Sequence, residues 1–125
     1  MLKGQNLNED LKRAALFAIN EGIIVPSDKD SLPLSVDEDE GLICWIGFES
    51  TELAQKCSLL NPEQYTWGII QGLQYLKFLH ERIEVGGQHV LVVNPSTDRQ
   101  MGLDNEAIKG FLKWLEAHPN GLSQF

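Results

Sequence analysis

His89-Val90-Leu91-Val92-Val93-Asn94-Pro95-Ser96-Thr97-Asp98 is the stretch whose reading decides the fold. A run of aliphatic and β-branched residues stops at Asn-Pro, and hydroxyls and a carboxylate follow. β-branched side chains suit a pleated strand, and proline has a fixed φ and no N–H to give a ladder. Residues 90–94 therefore read as a buried strand, and residues 95–102 as the loop that leaves it. Loops leaving buried strands often carry binding groups.

Working outward, residues 42–48 are apolar on both faces apart from Gly47, as expected of a central strand covered on two sides. Before it, Leu32, Leu34 and Val36 alternate on one face, and Pro33 marks a side without a ladder. The acidic run Asp37-Glu38-Asp39-Glu40 joins the two as a hairpin, with Gly41 suited to a positive φ at its end. Residues 23–26 read as a brief extended piece.

Four helical segments surround these strands. Residues 8–21 open at Asn8 as N-cap, carry Glu9 and Asp10 in the first turn, bury Leu11, Ala14, Ala15 and Ala18, and stop at Gly22. Residues 50–57 form a short helix opened by Ser50. Residues 73–82 form the third. The last has Asp104 as N-cap, Leu103 and Ile108 as a hydrophobic staple, and a buried face of Ala107, Ile108, Phe111, Leu112 and Leu115. Pro119 and Gly121 end it.

Residues 61–64 also look like a helix start, with Pro62 at the first position and Gln64 closing a capping box. Residues 65–70 are ambiguous. Their aromatic and β-branched content favours a strand, while Ile69, Leu73, Leu76 and Ile83 fit a helical stripe. Gly68 and Gly72 would each cost that helix about 1 kcal/mol relative to alanine, so the strand is preferred. Residues 1–7 and 119–125 are expected to fray.

The implied architecture is one α+β (or α/β) domain over residues 1–125, with helices on a mixed sheet of about four or five strands. The formal net charge of −8 disfavours duplex DNA and anionic membrane surfaces and suits a basic partner or simple solubility. Residues 1–10 are polar, so no signal peptide is expected, and no apolar run reaches membrane-spanning length. Cys44 and Cys57 belong to no C-x-x-C pair and read as reduced thiols of a cytoplasmic protein.

Motif chemistry is sparse. The acidic run 37–40 lacks the glycine and distal glutamate of an EF-hand. His80, His89 and His118 lack zinc spacing. Ser96 lies in no nucleophile elbow, and Gly86-Gly87 precedes a strand, whereas a phosphate-binding glycine loop follows one. No metal, cofactor or catalytic residue is assigned. Two loops are left: Glu49-Ser50-Thr51 after one strand, and Asn94, Ser96, Asp98 and Arg99 after the other. If the strands are parallel neighbours, both loops meet at one sheet edge, where ligand crevices form. The competing reading makes Ser50 a cap and Asn94, Ser96 and Asp98 turn residues. Trp45, Trp67 and Trp114 read as core, with Trp114 at the edge of its stripe.

Three segments together resemble the SseB N-terminal-domain family: Leu32-Pro33-Leu34, Phe48-Glu49-Ser50-Thr51-Glu52-Leu53-Ala54, and Val92-Val93-Asn94-Pro95-Ser96. Glu49 stands where that family usually has threonine. The resemblance implies a small α/β domain without a known catalytic constellation, and it transfers a fold more securely than a function. The expectation is a non-enzymatic, cytoplasmic protein-interaction domain. A homo-oligomer is compatible with it. The alternatives are an acidic immunity- or antitoxin-like protein that neutralises a basic partner, and a small-ligand binder or enzyme at the edge formed by residues 94–99.

Overall fold

A computed structural model describes residues 9–27, 33, 35–37, 41–57 and 65–124. The chain runs α1 (Glu9–Ile19), β1 (Ile23–Ser27), β2 (Ser35–Asp37), β3 (Leu42–Gly47), α2 (Thr51–Lys56), β4 (Thr66–Ile70), α3 (Gly72–Val85), β5 (Gln88–Val93), β6 (Met101–Asp104) and α4 (Asn105–Ala117). A 3-10 turn, Gly121–Gln124, follows. This is the expected single α+β domain.

The main sheet has the order β2-β3-β5-β6, and β1 and β4 form a separate antiparallel ribbon. β3 and β5 are parallel, in register from Leu42↔Gln88 to Gly47↔Val93, while β2 and β6 flank them antiparallel. The ribbon joins the sheet at one point. Ile24 and Phe48 exchange both backbone hydrogen bonds, at 2.8 and 2.9 Å. Ile24 thus turns its polar groups toward Phe48. Pro26, two residues on, faces the same way, and its missing N–H removes nothing from the pairing with β4.

Alternation along the strands divides the apolar residues between two cores. Trp45, Leu91, Val93 and Leu103 face α1, α3 and α4, where Phe17, Tyr75, Leu76, Leu79, Ile108 and Phe111 are buried. Ile46 points the opposite way and packs with Phe48, Ala54 and Cys57 against Ile24, Leu53 and Trp67. β3 is central, as expected, but its two-sided cover holds only from Trp45 onward. Leu42, Ile43 and Cys44 are half-buried, because α2 reaches only the far end of the strand.

Three features differ from the expectations. The segment 23–26 is part of a paired strand. The loop after β5 ends at Gln100, since Met101–Asp104 joins the sheet before α4 begins. The tail is tied down as far as Ser123: Leu122 packs on the main core, and Ser123 Oγ donates to Asn120 O at 2.7 Å. Residues 1–8, 28–32, 34, 38–40, 58–64 and 125 lie outside the described residues. They include the Asn8 cap, the hairpin tip, most of the segment 32–34 and the helix start at 61–64.

Gly72 shows why a glycine stands at the start of α3. A Cβ there would lie 1.8 Å from Phe17 O, and the Gly72 N–H donates to Asn20 O at 2.7 Å. The helix begins against the backbone of α1, so only a residue without a side chain fits.

Candidate binding edge at the ends of the parallel strands

The parallel pairing of β3 and β5 brings both candidate loops to one edge. Asn94 stands at their junction, and its side chain is completely buried. Its N–H donates to Gly47 O at 2.8 Å. Its Oδ1 accepts from Glu49 N at 2.9 Å, and its Nδ2 donates to Glu49 Oε1 at 2.8 Å. A longer contact of 3.4 Å runs from Nδ2 to Arg99 O. The Asn94 carbonyl accepts from the Thr97 hydroxyl at 2.7 Å. One amide therefore holds the end of β3, the approach to α2 and the loop beyond β5.

The neighbouring groups are also engaged. Ser50 Oγ accepts from Leu53 N at 3.2 Å as the N-cap of α2. Ser96 N donates to Gln100 Oε1 at 2.8 Å. Asn94 and Ser96 have φ of 56° and 64°, the left-handed region in which asparagine is tolerated and serine is uncommon. Asp98 and Arg99 are exposed. Thr51 looks elsewhere: with Ile24, Ala54, Gln55, Trp67, Gly68 and Ile69 it lines a cavity of about 340 Å³ between α2 and the ribbon. The edge thus unites Glu49, Ser50, Asn94 and the 96–99 loop, and leaves Thr51 on a different surface.

A second polar centre lies at the other end of β5. His89 is only 4% exposed. Trp45 Nε1–H donates to its Nδ1 at 3.0 Å, so its Nε2 carries the proton and donates to Gly86 O at 2.9 Å. Trp45 lies edge-on to Phe78. Asn105 closes this end, accepting from His89 N at 2.7 Å and donating to Gly87 O at 3.2 Å. The sequence showed a histidine at a strand start and a core tryptophan. Their partnership is long-range and has no local signature.

A third concave surface lies between α3 and α4. It measures about 480 Å³ and is lined by Lys77, His80, Glu81, Leu112, Leu115 and Glu116. His80 Nε2 lies 3.2 Å from Glu84 Oε1, one helical turn away. Sequence reasoning passed over this groove, although Lys77/Glu81 and His80/Glu84 stand at the i, i+4 spacing that places side chains on one helix face.

Among the described residues, no group of three or more histidines, cysteines or acids is placed to hold a metal ion. No described helix is long and apolar enough to cross a membrane. No protein-family model, curated protein or solved structure matches the chain.

Proposed function

We propose that this chain is a non-enzymatic protein-interaction domain. The observation that carries the reading is Asn94: the polar edge that chemistry would need is built around an amide with no exposed surface, engaged by Glu49 and Arg99. Buried polar networks of this kind specify a fold. Nearby, the Ser50 hydroxyl acts as a helix cap. The small-ligand alternative needs Ser50, Ser96 and Arg99 around one pocket, and the cavity near this edge is lined instead by Thr51 and apolar groups of α2 and the ribbon.

The SseB-like reading of the fold is supported by two placements. β3 runs through Phe48 into a helix capped by Ser50, and β5 ends in a turn at Asn94-Pro95-Ser96. A cytoplasmic site is supported by two cysteines that form no disulfide among the described residues.

The test is affinity capture with the intact chain at physiological salt. The expected result is a defined stoichiometric protein, retained equally well by Ser96→Ala and Arg99→Ala. Retention of no protein, together with small-molecule binding that Arg99→Ala abolishes, would overturn the reading.

A further inference from the structure

The groove between α3 and α4 combines an apolar floor with an acidic wall. Leu112 and Leu115 are half-buried and pack against the main core on their inner side. Glu81 and Glu116 are exposed, one on each helix, and Glu84 adds a third carboxylate beside His80. Lys77 is the one Lys or Arg among the lining residues. Arg82 sits on the same helix but lies over the Phe78 ring, 5.8 Å from its centroid. The local excess of carboxylate has the same sign as the net charge of −8.

Resting on the interaction reading above, we propose that this groove docks a basic amphipathic helix of a partner protein. An apolar residue of that helix meets Leu112 and Leu115, and flanking Lys or Arg side chains reach Glu81 and Glu116. Two considerations select this occupant. The groove lies between two packed helices, where an incoming helix lays its apolar stripe, and it exposes no strand edge for an extended peptide. Carboxylates on both walls oppose a second copy of this acidic chain and favour a cation, both in the bound state and in the approach to it.

The probe is a synthetic amphipathic helix of leucine and lysine, with its leucine–glutamate counterpart as control, and the readout is the dissociation constant by calorimetry. The intact chain should bind the lysine peptide and not the glutamate peptide. Glu81→Gln combined with Glu116→Gln should weaken binding about five- to tenfold. Glu52→Gln combined with Glu106→Gln, which changes net charge equally at exposed sites elsewhere, should leave it within about twofold. All four positions are exposed, and a thermal melt checks that each variant is folded. Equal weakening by the two pairs would mean that only net charge is read, and would overturn the proposal. So would a captured protein partner whose binding ignores Glu81→Gln and Glu116→Gln, although that result would leave the interaction reading standing.

Discussion

At the scale of single residues, Asn94 and Tyr75 carry the most testable weight. Asn94→Ala removes the contacts to both Glu49 groups, leaves the Glu49 N–H without its partner and places a Cβ residue at φ 56°. The expected loss is about 2–4 kcal/mol in urea unfolding. Asn94→Gly relieves the backbone strain but restores no hydrogen bond, and should recover about 1 kcal/mol of that loss. Tyr75 is fully buried and its hydroxyl donates to Ile46 O at 2.8 Å. Burial pushes its phenol well above the ordinary tyrosine range. Because the folded value is raised, the phenol's contribution is complete below about pH 10 and is lost as pH rises beyond it. Tyr75→Phe should lower stability by about 1 kcal/mol at neutral pH and flatten the alkaline fall. Unfolding free energies measured on both sides of pH 10 check this, and an unchanged alkaline fall would contradict it.

At the scale of elements, two glycines in helices make opposite predictions. Gly110 lies on the exposed side of α4, and a Cβ there meets nothing within 4 Å. Gly110→Ala should stabilise the protein by about 0.5–1 kcal/mol. Gly72→Ala drives a Cβ into the α1 backbone and should destabilise it by more than about 2 kcal/mol. Thermal melts of the pair measure both signs. The same glycine shows where sequence reading succeeds and stops. Gly72 counts against a helix by propensity, yet its reason for being there is a contact with Phe17 that no local pattern encodes. β3, β5 and the Asp104 cap were legible because each has a local cause: a continuous apolar run, a proline stop, a carboxylate before an amphipathic face. The side chain of Asp104 indeed accepts from Ala107 N at 2.9 Å. β6 was hidden because it spans four residues, and Leu103 served equally well as a staple in front of α4. The adjacency of Glu49 and Asn94 was foreseeable only on condition that β3 and β5 lie parallel, and pairing is a tertiary fact. The α3–α4 groove depends on how two helices pack, so the sequence offered only its i, i+4 spacings.

At the scale of the whole molecule, the chain separates its scaffold from its exposed surface. The polar edge at Asn94 and the His89–Trp45 pair hold the two ends of β5, while the acidic groove faces solvent between α3 and α4. A basic partner steered by net charge should bind less tightly as salt rises, with the change lying mainly in the association rate. Rapid-mixing kinetics across a salt series would record it, and a salt-independent association rate would contradict it. The most direct test of the division is hydrogen exchange on the chain with and without its captured protein partner. The account predicts slowed exchange over residues 77–84 and 112–116, with residues 49–51 and 94–99 unchanged. Slowing concentrated at residues 49–51 and 94–99, with α3 and α4 unaffected, would contradict it.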